Sequence, residues 1–318
     1  MTSSRFLAAV ESLPIPTQKT STPRRCTRCS GSSGRSAARR RRPLAEVPLP
    51  AIVDGAVRGD GRVDVLLLGG GLQQGEGLFE TLPVESGHPH FLDRHARRLA
   101  RGADELELAP APDAETWGDD LALLCQACGS SDLAARLMLF RDGERVRRGV
   151  AAQPLSTAQL GPAELGLAPK GLLGPRPHAH MKTLNYLGPR RAHAAGVKAG
   201  YDEVLFLMED GTVLEGSRST VFMIAGGVVR TAPLDLPILP GVTREVLLEI
   251  CEEAGTPVRE EGFSLEELTG ADEAFLAASL RGVRPVSKVQ GQPLPAVDGP
   301  VTRELAGLYR KRVRASNR

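Results

Sequence analysis

Lysine is scarce in this chain, and one lysine stands where it could do chemistry. Of the 40 Lys and Arg residues only six are Lys. Lys182 lies in the sequence HMKTLNYL, just before a predicted helix and with no charged neighbour until Arg190. A partly buried lysine near other positive charge loses its proton more readily and then acts as a nucleophile or base. Alone this pattern is weak evidence, since most lysines are solvated surface residues.

Two groups downstream have complementary chemistry. Glu215 closes a hairpin predicted around the Asp-Gly turn at 210–211, where a carboxylate could form a salt bridge with a protonated ring nitrogen. Residues 239–243 (LPGVT) lead into a predicted helix, whose free N–H groups could bind phosphate. Without a cofactor, Glu215 would be an exposed charge on a hairpin, and the threonine of residues 239–243 would be a simple helix N-cap. A lysine, a carboxylate and an anion site together are what a pyridoxal-5′-phosphate (PLP) site requires.

The order of these pieces resembles the class IV aminotransferases, which have PLP fold-type IV. This family includes branched-chain and D-amino-acid transaminases and 4-amino-4-deoxychorismate lyase. The resemblance runs from about residue 50 to about residue 290, and no single piece of it is decisive. It is carried by residues 75–81 (GEGLFET), 95–99 (HARRL), 182–186 (KTLNY), 200–203 (GYDE), 215–217 (EGS), 239–244 (LPGVTR) and 278–282 (ASLRG).

The resemblance implies a role for each matching residue. Lys182 would be the Schiff-base lysine and the proton shuttle. Tyr186 would hydrogen-bond the ring hydroxyl, Glu215 would hold the pyridine nitrogen, and Phe79 would line the substrate pocket. The remaining residues would bind the phosphate: the side chains of Arg98 and Ser279 and the amides of Val242 and Thr243. A homodimer with active sites near the subunit interface is also implied.

Two family reactions stay open at this point. Residues 278–286 (ASLRGVRPV) look more like lyase sequences than like the Gly-Thr-Ala turn of branched-chain transaminases. Arg281 or Arg284 could also bind a second substrate carboxylate. We therefore favour a 4-amino-4-deoxychorismate lyase that eliminates pyruvate and leaves p-aminobenzoate, with a branched-chain or D-amino-acid transaminase as the alternative. The chain departs from the family pattern in the loop 68–74, which lacks an Asp-Arg pair, and at Thr220, where many members have Asn.

Composition describes an ordinary globular protein, with 41% hydrophobic and 25% charged residues and no apolar run long enough to span a membrane. Five cysteines are too few for a disulfide scaffold and favour a cytoplasmic location. The C-x-x-C pairs at 26–29 and 125–128 are too far apart for a paired zinc site, so we predict no metal.

The segment 1–45 contains ten basic residues and one acidic residue, whereas the rest of the chain is mildly acidic. We predict a disordered leader, with organelle targeting or nucleic-acid binding as alternatives. A nucleic-acid-associated protein with a degenerate enzyme body is therefore the hypothesis from another class. The chain's other expected partners are a small amino substrate and a second copy of itself.

Apolar periodicity predicts an α+β protein of two domains, with the cofactor in the cleft between them. A small α/β domain would span 46–160, a Gly- and Pro-rich linker 161–177, and a larger domain with a β-barrel-like sheet 178–318. A hairpin is predicted from 51–53 and 63–68, and residues 133–140 are predicted as a strand or short helix. The other predicted strands are 77–84, 203–208, 212–215, 221–224 and 228–231, and the predicted helices are 95–108, 121–128, 186–199 and 244–254.

Overall fold

The computed structural model describes residues 49–108, 110–156, 160–172 and 174–316. By their contacts, residues 47–318 form one unit. This unit contains two β-sheets with helices packed on them, as expected of an α+β protein. The leader predicted over residues 1–45 lies outside the described residues. Among the described helices, none is both long enough and apolar enough to cross a membrane.

The first sheet is antiparallel, and its strands run in the order β2-β1-β6-β5-β3-β4. They are β1 (Ala51–Val53), β2 (Ala56–Arg58), β3 (Gly77–Glu85), β4 (His88–Pro89), β5 (Leu133–Asp142) and β6 (Arg145–Pro154). Side chains alternate between the two faces of each strand. On one face, Leu78, Leu82 and Leu137 pack into a buried cluster beneath α2 (Leu92–Glu105) and α3 (Ala114–Cys128).

The second sheet is mixed and curled, with the strand order β12-β11-β10-β13-β14-β7-β8-β9 and β15 paired to β14. Its strands are β7 (Ala163–Leu167), β8 (Glu203–Leu207), β9 (Val213–Gly216), β10 (Thr220–Ala225), β11 (Val228–Thr231), β12 (Val258–Glu260), β13 (Glu273–Ala278), β14 (Gly282–Val289) and β15 (Gln292–Pro293). The short loop 217–219 joins β9, at one end of the sheet, to β10 in its interior.

Both faces of the second sheet are buried. On β10, Val221 belongs to the cluster inside the curled sheet, whereas Phe222 belongs to a second cluster on the outer face. There Phe222 stacks on Phe275 with ring centroids 4.7 Å apart, and both pack beneath α5 (Val242–Ala254) and α7 (Pro300–Ser316). The remaining helices are α1 (Gly70–Gln73), α4 (Leu187–Lys198) and α6 (Leu265–Thr269).

Most predicted elements are confirmed to within a few residues. The strand predicted at 77–84 is β3, and the helix predicted at 244–254 is α5. Residues 133–140, predicted as a strand or a short helix, form β5. The four strands predicted between 203 and 231 and the helices at 95–108 and 186–199 are present as well. The helix predicted at 121–128 is also present, but it begins seven residues earlier, at Ala114.

The first predicted hairpin is wrong in its second strand. Asp54 and Gly55 both adopt positive φ angles, 50° and 80°, and make a tight turn that returns the chain as β2. Residues 63–68, predicted as the returning strand, form no strand. Gly55 tolerates this backbone conformation without a steric cost, so the turn comes several residues earlier than the Gly- and Asp-rich cluster suggested.

The stretch 161–177, predicted as a linker, contains β7. This strand pairs in parallel with both β8 and β14 and is part of the second sheet. Its glycines and prolines hid a strand whose residues Ala163 and Leu165 are fully buried. The domain boundaries themselves stay a prediction.

Candidate active site

A cavity of about 610 Å³ has walls from both sheets. Strands β3, β5 and β6 contribute the face of the first sheet that is turned away from α2 and α3. Each residue for which the sequence predicts a cofactor or substrate contact lies in the cavity wall: Phe79, Arg98, Lys182, Tyr186, Glu215, Val242, Thr243, Ser279 and Arg281. The structure therefore brings together residues that are up to about 200 positions apart in the chain.

Lys182 is fixed to strand β3 through its backbone. The carbonyl of Lys182 accepts a hydrogen bond from Phe79 N at 2.8 Å, and Leu184 N donates to Gly77 O at 2.8 Å. A Cβ on Gly77 would stand 2.8 Å from the backbone oxygen of Leu139, so glycine is required where the lysine segment packs on the strand. The glycine at the start of β3 thus has a structural role beside the lysine.

The Lys182 ammonium lies among aromatic rings and other charges. Its Nζ is 4.6 Å from the centroid of Phe79 and 5.3 Å from that of Tyr186. Burial, together with the positive charge of Arg98, lowers the pKa of Lys182 to about 8. About a tenth of this lysine is therefore neutral at pH 7, far more than for an ordinary lysine.

Arg98 is held by a buried carboxylate that the sequence analysis did not single out. Its Nε and Nη2 donate to the two oxygens of Glu80 at 2.7 and 2.6 Å, and Nδ1 of His95 lies 2.7 Å from Glu80 Oε2. Burial opposes ionisation of Glu80, but Arg98 and His95 outweigh it and hold the pKa of Glu80 well below its ordinary value. Glu80 is thus an anion and His95 Nδ1 donates to it.

The same arginine connects to the start of α5. Arg98 Nη1 donates to Pro240 O at 2.8 Å, so three of the five guanidinium N–H groups are occupied and two remain for a ligand. The N–H groups of Val242 and Thr243 open α5 and have no partner within the helix. Ser279 Oγ lies 3.5 Å from His95 Nε2. We call Arg98, Val242, Thr243 and Ser279 the anion cradle.

Glu215 lies on β9 with both oxygens engaged. Oε1 accepts a hydrogen bond from Arg176, and Oε2 accepts from Leu239 N at 3.2 Å. The residue is buried, at 6% exposure, and lines the cavity. The Arg176 guanidinium compensates the charge of this buried carboxylate.

The hydroxyl of Tyr186 donates to Ser217 O at 2.7 Å. Burial raises the pKa of Tyr186 to about 12, so the phenol keeps its proton throughout the physiological range. The ring meets Phe79 edge to face, with centroids 5.2 Å apart. The phenol proton is therefore engaged by the backbone, and the contact to a cofactor hydroxyl stays a prediction.

A polar pair interrupts the apolar wall of the first sheet. Thr81 on β3 and Arg136 on β5 are directly opposite each other across the strands. Thr81 Oγ1 is buried and has no hydrogen-bond partner among the described residues. The Arg136 guanidinium lies 4.5 Å above the Phe79 ring and forms no ion pair with a described carboxylate. Arg136 is exposed to the cavity, and partial desolvation by the surrounding walls lowers its pKa.

The residues missed by the sequence analysis carried readable signals. Glu80 interrupts the apolar face formed by Leu78, Leu82 and Val84, and a charge at such a position needs a buried partner. Arg136 interrupts β5 in the same way on its other face. Arg176 lies in the stretch assigned to a linker, where no pattern pointed to an ion pair.

Comparison with known proteins gives a consistent picture. The amino-transferase class IV family matches residues 77–289. The aminodeoxychorismate lyase of Bacillus subtilis (strain 168) is 29% identical over 257 residues, covering 77% of this chain and 88% of the relative. A D-alanine aminotransferase of Staphylococcus aureus (strain MSSA476) is also 29% identical, over 260 residues, covering 74% of this chain and 88% of the relative.

Among solved structures, the branched-chain aminotransferase of Thermoproteus uzoniensis is 26% identical, with a TM-score of 0.77. The alignment covers 85% of this chain and 96% of that one. This likeness confirms the predicted PLP fold-type IV. The residues of the family match span the whole cavity wall, from Phe79 to Arg284. The chain belongs to the class IV aminotransferase family and is a PLP-dependent enzyme.

Proposed function

We propose that this enzyme is a lyase that eliminates pyruvate from 4-amino-4-deoxychorismate and leaves p-aminobenzoate. The observation that carries the proposal is a set of arginines without carboxylate partners in the described residues, Arg136, Arg218 and Arg281, around the cavity that holds Lys182. We call them the unpaired arginines. A substrate with one amine and two carboxylates matches this distribution, because an amine must reach the lysine while each carboxylate needs a cation.

The residues present fit PLP. The anion cradle offers N–H groups from a helix start together with two free N–H groups of Arg98, which suits a phosphate. Glu215 offers a carboxylate oxygen for a pyridine nitrogen, and Tyr186 lines the same cavity. When bound, PLP supplies an electron-withdrawing ring that stabilises negative charge on the carbon next to the substrate amine. We propose these residues as its ligands, with Lys182 as the point of covalent attachment.

Lys182 is the proposed proton carrier of the reaction. With a pKa of about 8 its neutral form is accessible near physiological pH, and a neutral amine can take a proton from the ring carbon that bears the substrate amine. The ether C–O bond then breaks, its electron pair leaves with the enol of pyruvate, and the ring becomes aromatic. Overall, one proton moves from the ring to the methyl group of pyruvate, with no external oxidant or acceptor.

The walls of the cavity orient the substrate. The Phe79 ring contacts both Lys182 and Arg136 and provides an apolar surface for a six-membered ring. Thr81 Oγ1, without a partner in the described residues, can donate a hydrogen bond to a substrate oxygen. Arg281 is proposed to bind the second carboxylate, as its position in the sequence suggested.

A transaminase of D-amino or branched-chain amino acids is the second candidate. The D-alanine aminotransferase of S. aureus and the lyase of B. subtilis are equally identical to this chain, at 29%.

The nucleic-acid hypothesis depends on residues 1–45, outside the described residues, and the complete set of charged groups around Lys182 argues against a degenerate body. A yellow purified protein would support the enzyme and a colourless one the binding protein.

The decisive experiment offers 4-amino-4-deoxychorismate alone and follows pyruvate, p-aminobenzoate and the cofactor spectrum. The lyase proposal predicts stoichiometric pyruvate and p-aminobenzoate without any keto acid. A panel of L- and D-amino acids serves as the comparison. Efficient conversion of the cofactor to its pyridoxamine form by leucine, glutamate or D-alanine, with no p-aminobenzoate, would instead establish the transaminase. Borohydride should fix the cofactor to Lys182 in either case.

We also propose that the enzyme is a homodimer. Residues between β2 and α2 expose large apolar side chains, with Leu67 76% and Leu68 80% exposed, and Leu66 and Leu72 both 57%. Such a patch is unusual on a monomer. Light scattering should give twice the mass of one chain, and the double change Leu67→Glu/Leu68→Glu should reduce it to one. A monomeric wild-type protein would contradict this proposal without affecting the PLP site.

A further inference from the structure

Arg218 and Arg281 stand together at the exposed side of the cavity. Arg218 lies in the loop between β9 and β10, and Arg281 lies in the turn between β13 and β14. Both line the cavity and both are exposed. Neither forms an ion pair with a carboxylate in the described parts of the chain. Arg284, which also lines the cavity, is different: it pairs with Asp202 at 2.9 Å and donates to Gly161 O at 2.8 Å.

A buried carboxylate fixes the loop that carries Arg218. Glu203 is 5% exposed, and its Oε1 accepts hydrogen bonds from Ser217 N at 3.2 Å and from Ser217 Oγ. Its Oε2 accepts from Ser219 Oγ at 3.0 Å. Burial opposes ionisation of Glu203, but hydrogen bonds from His193, Ser217 and a backbone amide outweigh it and lower its pKa. The two neighbours of Arg218 are therefore held by one ionised group.

His193, on α4, positions the Arg218 guanidinium itself. Its Nδ1 lies 3.5 Å from Glu203 Oε1, and its Nε2 contacts Nη2 of Arg218. A guanidinium can only donate, so the imidazole nitrogen that it contacts must accept. Arg218 is thus oriented by a partner that is not a carboxylate and keeps its positive charge for a ligand.

A tight turn positions Arg281. Its backbone N–H donates to Ala278 O at 3.0 Å, and Gly282 follows with a φ of +59°. Partial desolvation by the cavity walls, with the positive charges of Arg218 and Arg284, lowers the pKa of Arg281. Because Arg218 and Arg281 line the same cavity, their like charges repel, and an anion that contacts both would relieve this repulsion.

We propose that Arg218 and Arg281 together bind the substrate carboxylate that lies farther from the reacting amine, with His193 and Glu203 as positioning residues for Arg218. The ligand class is a carboxylate on an amine that carries a second carboxylate. Two guanidinium groups can each offer paired N–H donors to one planar carboxylate, which lysine could not do. The inference rests on the proposed function in that it takes the substrate to be such an amine.

The first test measures binding without turnover. Benzoate, an aromatic carboxylate without an amine, is titrated into the PLP-loaded enzyme by calorimetry, with benzamide as its uncharged counterpart. Arg218→Gln and Arg281→Gln should each weaken benzoate binding about tenfold or more and leave benzamide unaffected. Arg191→Gln, at an exposed arginine of α4 outside the cavity wall, is the matched control and should change neither. Unchanged benzoate affinity in both cavity variants would overturn the proposal.

The second test separates this inference from the proposed function. For whichever reaction the enzyme performs, KM for a substrate with two carboxylates should rise about tenfold in each variant, with kcat nearly unchanged. KM for a substrate with one carboxylate should not change. If the enzyme proves to be a transaminase, glutamate is the substrate with two carboxylates and alanine the substrate with one. The arginine site is then tested independently of the lyase proposal. An active lyase with unaltered KM in both variants would refute the site alone.

The positioning role of His193 has its own readout. His193→Ala should raise KM for the two-carboxylate substrate several-fold at constant kcat, because Arg218 loses its acceptor. His193→Gln retains an accepting oxygen and should restore most of the affinity. Equal effects of the two substitutions, or an effect on kcat rather than KM, would contradict the assignment.

Discussion

Arg98 and Arg136 line the same cavity, but only the charge of Arg98 is compensated by a carboxylate of the described residues. Arg98 is buried, and Glu80 accepts two hydrogen bonds from it, with Pro240 O as a third acceptor. Arg136 is exposed, has no carboxylate partner among the described residues, and contacts only the face of Phe79 through its guanidinium. The charge of Arg98 is compensated within the protein and two of its N–H groups stay available, whereas Arg136 leaves all its donors available.

This difference separates a permanent ligand from a transient one. A buried cation must be compensated before its ligand arrives, since an unpaired charge in the interior would destabilise the cofactor-free fold. An exposed arginine is in contact with water and needs no fixed carboxylate partner before a substrate binds. We therefore interpret the anion cradle as the site of the resident cofactor and the unpaired arginines as the substrate side. The following predictions test that division.

The largest effect is expected for Arg98→Met. Loss of the guanidinium leaves the buried Glu80 carboxylate without its main partner, so the free energy of unfolding of the cofactor-free protein should fall by about 3–5 kcal/mol. PLP affinity should also fall, by about 30- to 1000-fold, since a charge-assisted phosphate contact is removed. Urea denaturation and a PLP titration measure the two quantities. A stable variant with unchanged PLP affinity would remove the basis for the anion cradle.

Glu215→Gln should affect turnover rather than cofactor binding. The amide keeps a hydrogen-bond acceptor but no longer carries the negative charge that would stabilise a protonated ring nitrogen. We expect turnover to fall about 100-fold while PLP stays bound. Glu209→Gln, at an exposed glutamate in the turn after β8, is the matched control. A loss of PLP affinity equal to that of Arg98→Met would show that the two residues do not have separate roles.

Much of this arrangement was predictable from local sequence. The helix N-terminus at α5, the strand carrying Glu215 and the lysine segment were all located from hairpin, capping and periodicity signals. Each signal lies within a few residues of the group it positions. The resemblance to the family then related these segments to one another, which local patterns could not do because strand order depends on contacts far apart in the chain.

The sequence did not reveal which arginines form ion pairs with carboxylates. Whether Arg98, Arg136 or Arg284 has a carboxylate partner depends on residues about 20 to 80 positions away, and nothing in the local sequence distinguishes the three arginines. Among the described elements, β14 and α7 were also missed. The strand contains a proline at 285, which obscures its period. The helix lies beyond the part of the chain that carries the resemblance.

The pH dependence of cofactor attachment should report the charges around Lys182. Only the neutral amine attacks the cofactor aldehyde, and the pKa of Lys182 is lowered to about 8. The rate at which cofactor-free protein takes up PLP should therefore fall about tenfold per pH unit below that value and level off above it. Arg98→Met removes a neighbouring positive charge and should shift the profile to higher pH. A stopped-flow absorbance series gives the profile, and a midpoint near that of free lysine would contradict the assignment.

The smallest effect on stability is expected for Arg136→Met, which makes the same chemical change as Arg98→Met on the substrate side. Because Arg136 is exposed and has no carboxylate partner in the described residues, its removal leaves no buried charge without a partner. The free energy of unfolding should change by no more than about 0.5 kcal/mol, and PLP affinity should be unaltered. KM for a two-carboxylate substrate should nevertheless rise about tenfold, since a hydrogen-bonded charge contact is lost. Urea denaturation, a PLP titration and steady-state kinetics on the two methionine variants complete the comparison. If Arg136→Met weakened PLP binding as strongly as Arg98→Met, the two arginines would serve one ligand, and the division between cofactor side and substrate side would be wrong.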